Sequence, residues 1–243
     1  MHLELERKPT ALRAGILAAL CFFVFIKTAG ATPTDTIGIP STDILERGSG
    51  QLKIESNISE SPQERHNAPS ELGLEYGVAR KWEAGADLNG AGSKSVNLNF
   101  KYGVEEKKRL PAFAIGAYAI GIGRKAQNKL NYEMWYAVAG KTIPRFARVT
   151  AGGYYGTSNL INDVDNQQNK TGLLLSLDRQ FTEKLWAAAD YLSGNNLYGA
   201  KGVGVSYDIT RSNSLCLSYM FYNAKQIADR KKDVFSAQIE INY

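Results

Sequence analysis

Alternation of apolar and polar side chains is the dominant pattern along this chain, and it is clearest at the C-terminal end. In residues 235–243 (FSAQIEINY), apolar or aromatic side chains occupy every second position, and Ser, Gln, Glu and Asn occupy the positions between them. Side chains on a β-strand point alternately to its two faces, so this stretch predicts a strand with one apolar and one polar face. The same alternation recurs in residues 72–78, 96–104 and 215–221.

Twelve segments with strand character follow one another from Gln51 onward, separated by clusters of Gly, Asn, Asp, Ser, Pro and charged residues. Segments 112–123 and 131–142 carry apolar residues on both faces, so the alternation does not predict their register. The predicted strands are 51–58, 72–78, 82–88, 95–104, 112–123, 131–142, 146–156, 171–180, 184–193, 198–209, 213–222 and 233–243.

The connections between these segments are mostly long after odd-numbered strands and mostly short after even-numbered ones. Transmembrane barrels have short periplasmic turns at one rim and longer extracellular loops at the other. A soluble sandwich or lipocalin-like cup also alternates, but its polar face is exposed to water, whereas here that face is rich in Gly, Ala, Ser and Asn. We therefore predict an all-β fold, a transmembrane antiparallel up-and-down β-barrel of about 12 strands, with 10 or 14 as alternatives.

The N-terminal region predicts export. Three basic residues precede the apolar run 14–26, and Ala29-Gly30-Ala31 provides the small residues of a signal peptidase site, so residues 1–31 are predicted to be a cleaved secretory signal. Residues 32–50 are rich in Thr, Pro, Gly and Ser without periodicity, and we expect a periplasmic lead-in or a small lumen plug. Residues 51–243 then form the barrel, with Cys216 as its single cysteine and no intramolecular disulfide.

Net charge and the absence of known motifs argue against nucleic-acid binding, catalysis and calcium binding. The formal net charge of +5 falls to +3 without the signal, which is too mild to indicate nucleic-acid binding. His66, the single histidine beyond the signal, lies in a polar loop and is not expected to be catalytic. The run containing Asp163, Asp165 and Asn166 lacks the Gly and Glu of an EF-hand loop. We therefore predict no enzyme activity, no metal site and no cofactor.

Charged residues on the polar faces are the candidate functional residues, because in such a barrel they line the lumen and bias which ions pass. These lumen-facing candidates are Glu75, Glu83, Asp87, Lys101, Arg148, Asp178, Asp190, Asp208 and Glu240. Acids outnumber bases among them, so the first hypothesis is a narrow passive pore with a weak cation preference, or a structural barrel occluded by its own charges and lead-in. A lipid-modifying hydrolase or acyl-modifying enzyme, and an adhesin using loops 59–71 and 157–170, are the alternatives.

Several segments resemble outer-membrane β-barrel proteins of Gram-negative bacteria that have no assigned activity. They are GIPSTDILERGSG, LEYGVARKWEAGADL, LPAFAIGAYAIG, YAVAGKTI and LWAAADYLSGNNLYGAKGVGVSYDIT. The last strand, which ends on Tyr243, also resembles the C-terminal strand that the barrel assembly machinery of such bacteria recognises. The resemblance implies location in the outer membrane, with outer-membrane lipid and that machinery as partners. It implies no solute, no site and no oligomeric state.

Overall fold

A computed structural model of the chain describes residues 34–59, 71–89, 96–122, 133–156, 169–196, 198–223 and 233–243. The predicted signal, 1–31, and His66, Asp163, Asp165 and Asn166 lie outside these residues. No helix in the described part of the chain is long and apolar enough to cross a membrane.

The described residues form twelve β-strands that follow the sequence prediction within a few residues at each end. They are β1 (Gly50–Ser59), β2 (Glu71–Ala79), β3 (Trp82–Asn89), β4 (Val96–Val104), β5 (Ala112–Ile122), β6 (Met134–Ile143), β7 (Ala147–Gly156), β8 (Thr171–Gln180), β9 (Leu185–Leu192), β10 (Ala200–Asp208), β11 (Asn213–Tyr222) and β12 (Val234–Asn242).

Each strand pairs antiparallel with its neighbours in sequence, and the last strand pairs with the first. This seam runs from Gln51 opposite Asn242 to Ser59 opposite Val234, so the sheet closes without a free edge. The predicted antiparallel up-and-down barrel of twelve strands is confirmed, and the alternatives of ten and fourteen strands are wrong.

The outer face of the barrel is apolar. Leu72 and Leu74 on β2, and Leu173 and Leu175 on β8, are between 37% and 59% exposed, whereas Gly73 and Leu174 between them are buried. On β12, Phe235 and Ile239 are exposed while Ser236 and Glu240 are buried. Period-two alternation therefore places large apolar side chains outward on these strands, while the inward positions are small or polar on β2 and β12 and apolar at Leu174 of β8. An apolar outer face is the reverse of a water-soluble barrel.

The two strands with unreadable alternation, β5 and β6, face an apolar part of the interior. Met134, Tyr136 and Val138 of β6 belong to a buried cluster with Ala114 of β5, so both faces of these strands require apolar residues. The β4–β5 pairing also shifts register between Leu98 and Phe100, beside the positive φ of Ala119. Such a bulge changes which face the following side chains occupy, which obscures the pattern further.

Five short turns lie at one rim, at residues 80–81, 105–111, 144–146, 181–184 and 209–212. The backbone of Gly50 exchanges hydrogen bonds with that of Tyr243 at this same rim, with N···O distances of 2.8 and 2.9 Å. We call it the short-turn rim, and the opposite edge, where the longer connections lie, the loop rim.

Candidate functional site

The lumen of the barrel is the candidate site, and its wall has two chemically different sides. Polar and charged residues of β1 to β4 and β12 line one side, including Lys53, Glu83, Lys101 and Glu240. The other side, formed by β5 to β9, carries the apolar and aromatic cluster together with the charged residues Arg148, Asp178 and Asp190. A solute in the lumen therefore contacts charge on both sides and a large apolar surface on one.

The nine predicted lumen residues occupy different environments. Glu83, Lys101, Asp178, Asp190 and Glu240 are each at most 7% exposed, and Glu75, Asp87, Arg148 and Asp208 are partly exposed. Two pairs among them are brought into contact: Lys101 Nζ lies 2.8 Å from Glu83 Oε1, and Arg148 Nε lies 3.0 Å from Asp178 Oδ1. Asp208 stands apart from the cavity described below, at the end of β10.

The stretch that precedes β1 folds back on itself inside the barrel. The amide of Thr36 donates to the carbonyl of Ile39 (2.8 Å), and that of Ser41 donates to the carbonyl of Thr34 (3.1 Å), which makes a tight hairpin with Ile37 and Gly38 at its tip. We call residues 34–49 the N-terminal hairpin. It enters from the short-turn rim, because its C-terminal end continues directly into Gly50.

Polar side chains of several strands hold the tip of the N-terminal hairpin. Asp190 Oδ2 on β9 accepts the backbone N–H groups of Ile37 (2.9 Å) and Gly38 (2.7 Å). On the far side of the lumen, Lys53 Nζ contacts Asp35 Oδ2 (2.8 Å), and Lys101 Nζ donates to the carbonyl of Thr34 (2.8 Å). The hairpin therefore connects opposite walls of the barrel.

A second set of contacts holds the base of the N-terminal hairpin. Arg148 on β7 lies between two carboxylates, with Nη1 2.6 Å from Asp43 Oδ2 and Nε 3.0 Å from Asp178 Oδ1. Trp186 Nε1 donates to the same Asp178 (3.2 Å), and the amide of Leu45 donates to Glu83 Oε2 (3.0 Å). Arg148, Asp178 and Glu83 therefore fix the hairpin, and Glu83 also lines a cavity beside it.

Ile39 of the hairpin packs against the apolar side of the lumen. Ile39 is 1% exposed and packs in one cluster with Tyr136, Val138, Leu174 and Leu192. Burying a side chain of this size contributes roughly 1.5–3 kcal/mol. The hairpin thus matches both walls, with Asp35 toward the lysines and Ile39 toward the aromatic cluster.

Two cavities remain beside the hairpin. The first, about 300 Å³, is lined by the carboxylates of Asp35, Glu55, Glu71, Glu75, Glu83 and Asp87, by Lys53 and Lys101, and by the tyrosines Tyr118, Tyr136 and Tyr198. Its lining acids outnumber its bases by six to two. The second, about 400 Å³, shares Ile37 and Gly38 with the first and is bounded by Met220 and Tyr222.

Sequence reasoning did not identify several residues of this cavity. Lys53 and Glu55 face inward on β1, in register with the inward Glu240 and Gln238 of β12, and Glu71 opens β2. The alternation of Gln51, Lys53, Glu55 and Asn57 was available to place the first two. No alternation of apolar and polar residues was available to place Asp35 and Asp43, since the segment that contains them has no periodic pattern.

His, Cys, Asp and Glu are the residue types in the described ranges that could bind a metal ion. Among those residues, no group of three or more His, Cys, Asp and Glu side chains could hold a metal ion. Both histidines, His2 and His66, lie outside the described ranges. Cys216 is free and buried in the inward face of β11.

The chain matches no protein-family model and no curated protein. Among solved structures, it is similar to one described as the NanC porin in a rhombohedral crystal form, with 9% sequence identity and a TM-score of 0.47 over 80% of this chain and 98% of that chain. At that level of identity and superposition, the likeness carries no argument about what this barrel transports or binds.

Proposed function

We propose that this chain is an outer-membrane β-barrel that forms a narrow, cation-preferring passive pore, with the N-terminal hairpin filling most of the lumen. The observation that carries the proposal is the space left beside the hairpin, cavities of about 300 and 400 Å³ within an apolar outer wall. A barrel of twelve strands is intermediate between eight-stranded barrels filled by side chains and porins with wide aqueous channels.

The cation preference follows from the charges that line the first cavity. Rings of carboxylates favour cations in a pore, and six carboxylates face two ammonium groups here. One of these carboxylate oxygens, Glu75 Oε2, is buried and has no hydrogen-bond partner among the described residues. A small cation entering the cavity would supply the missing partner.

Location and assembly belong to the same proposal. The barrel reaches the outer membrane of a Gram-negative bacterium after removal of residues 1–31, and the assembly machinery recognises the strand that ends on Tyr243. The chain has no enzymatic activity in this proposal. What supports this placement is the apolar outer face of the strands, since lipid requires a closed sheet with apolar side chains outward.

Planar-bilayer recording of the refolded protein in KCl tests the pore. We expect small conductance steps in the wild type and larger ones after deletion of residues 34–44, because the deletion removes the tip of the hairpin and Asp43. A KCl gradient should give a reversal potential on the cation side. A silent wild type would overturn the passive pore, and conduction by the deletion variant alone would then favour a structural barrel closed by its hairpin.

Selectivity is tested separately with charge-neutralising variants. Glu71→Gln with Glu75→Gln should move the reversal potential toward zero, because both carboxylates line the first cavity. Glu183→Gln is the matched control, since this exposed turn residue lies outside the lumen and should leave the potential unchanged. Equal shifts in both variants would contradict a lumen origin for the selectivity.

A further inference from the structure

The five short turns are rich in basic residues, which have no part in the proposed pore. Eight basic and three acidic residues lie in them, and every turn places an exposed basic side chain within two residues of a large exposed apolar one. These neighbours are Lys81 with Trp82, Arg109 with Leu110, Arg145 with Phe146, Lys184 with Leu185, and Arg211 with Ile209. We call the five basic residues Lys81, Arg109, Arg145, Lys184 and Arg211 the basic collar.

Aromatic rings lie at the same level of the barrel as these charges. The Lys184 ammonium is 5.9 Å from the centre of the Tyr207 ring, and the Arg179 guanidinium is 5.3 Å from that of Phe181. Trp82 and Tyr102 pair beside Lys81, with ring centroids 5.0 Å apart. Outward aromatic residues at a barrel rim lie at the level of lipid headgroups, so the collar lies at that level too.

Backbone geometry gives an independent reason to assign a role to two of these charges. Lys81 and Arg145 have φ values of 71° and 65°, in the left-handed region where Gly or Asn is the favoured residue. A residue with a side chain is strained there, and such strain is found where the side chain serves a function. Two separate turns thus hold a basic residue at a position where Gly would fit better.

We propose that the basic collar binds the phosphate groups of anionic phospholipids in the leaflet that the short-turn rim crosses. Basic side chains near a membrane attract anionic lipid, while adjacent apolar side chains enter the acyl boundary. The collar has a member in every short turn and therefore surrounds the barrel, as a planar leaflet does, whereas a protein partner would contact one sector. This proposal rests on the membrane location proposed above.

Quenching of tryptophan fluorescence by brominated lipid tests the collar. In the Trp135→Phe variant, Trp82 is the lipid-facing tryptophan beside the collar, and in Trp82→Phe, Trp135 reports on the loop rim at a similar exposure, 43% against 45%. Trp186 is buried in the lumen and out of reach of the bromines. In mixed vesicles we expect phosphatidylglycerol to be enriched over phosphatidylcholine by at least about threefold at Trp82, and not at Trp135.

The same quenching experiment is repeated after removal of the charges next to Trp82. Arg80→Gln with Lys81→Gly should reduce the enrichment at Trp82 to about half or less, while Gly at residue 81 relieves the left-handed strain and preserves folding. Lys201→Gln, an exposed outward lysine near the loop rim, is the matched control and should change nothing.

The outcomes separate the two proposals. Absence of quenching by brominated phosphatidylcholine at both tryptophans would overturn the membrane location. Quenching without enrichment of phosphatidylglycerol, or enrichment that survives Arg80→Gln with Lys81→Gly, would overturn the collar alone.

Discussion

Several buried charges in the lumen meet a partner. Lys101 and Glu83, whose side chains are 3% and 6% exposed, lie 2.8 Å apart, and Asp190 accepts two backbone N–H groups. Loss of one partner of a buried pair leaves an uncompensated charge, which is costly, whereas exposed pairs contribute little. Inward charges therefore carry more of the stability of this barrel than the charges of its turns.

Glu106, in the turn between β4 and β5, has the most readily tested carboxylate. Hydrogen bonds from Lys141 and from the hydroxyl and amide of Thr142 lower its pKa to about 2. The depressed pKa means that the stabilisation is present above pH 4.5, the ordinary value, and is lost as the pH falls through about 2. NMR titration should show a midpoint near 2 in the wild type and a higher one in Lys141→Gln.

Lys108→Gln is the control for this titration, because it removes one positive charge from the turn that contains Glu106, while Lys141 on β6 keeps its 2.7 Å contact with Glu106. A midpoint that moves as far in Lys108→Gln as in Lys141→Gln would contradict the assignment to a specific ion pair.

At residue scale, prediction from sequence succeeded where apolar and polar positions alternate strictly. Leu72 and Leu74 were placed on the apolar face, and both are exposed on the outside of β2. Lys53 and Glu55 were left out of the lumen set although they alternate with Leu52 and Ile54. Pairs such as Asp43 with Arg148 could not be predicted from the sequence, because 105 residues separate them and no strand register connects them.

At the scale of elements, the N-terminal hairpin explains why β6 was harder to interpret than a strand such as β12. Its Ile39 packs against β6, β8 and β9, which gives these strands apolar residues on their inward faces. A strand with an apolar outer face and an apolar filling on its inner face has no polar side, so period-two analysis fails on β6 for a physical reason. The same analysis succeeds on β12, whose inward face is polar.

Arg148 should be the most sensitive anchor of the hairpin, because its loss leaves Asp178 and Asp43 without their cation. We expect Arg148→Gln to lower the free energy of unfolding by about 1–3 kcal/mol, measured as urea denaturation of the refolded protein in detergent. Arg148→Gln with Asp43→Asn should recover part of the loss, because one of the two carboxylates is then neutral.

Arg179→Gln is the control for that measurement, since Arg179 is exposed on the outward face of β8. We expect its effect to be within about 0.5 kcal/mol. Equal destabilisation by Arg148→Gln and Arg179→Gln would show that the ion pairs of the hairpin contribute nothing measurable.

At the scale of the whole molecule, the barrel depends on a seam between its two most distant strands. β1 and β12 pair over nine residue positions, from Gln51–Asn242 to Ser59–Val234, and Gly50 and Tyr243 extend the contact at the short-turn rim. The number of strands and their antiparallel order were predictable from the alternation and the turns. A small lumen plug was one expectation for residues 32–50, but its contacts were not predictable, because nothing in residues 34–49 repeats.

Substitution of Tyr243 tests whether the assembly machinery recognises the last strand. We expect Tyr243→Ala to lower the amount of barrel assembled in cells, because the terminal aromatic residue would be missing for recognition, while refolding yield in detergent stays unchanged. Tyr207→Ala, an outward tyrosine of similar exposure (49% against 42%), is the control. Heat-modifiable gel mobility measures both quantities, and equal loss in cells for both variants would contradict a specific role for the terminus.

The N-terminal hairpin has a mechanical consequence for the membrane protein proposed here. Its contacts with Lys53, Arg148 and Asp190 join β1, β7 and β9, which lie on different sides of the ring. An empty cylinder can flatten into an ellipse without breaking any bond between its strands, but an internal brace resists that deformation. The cross-section of this barrel should therefore respond weakly to lateral pressure from the surrounding bilayer, and more strongly once the brace is removed.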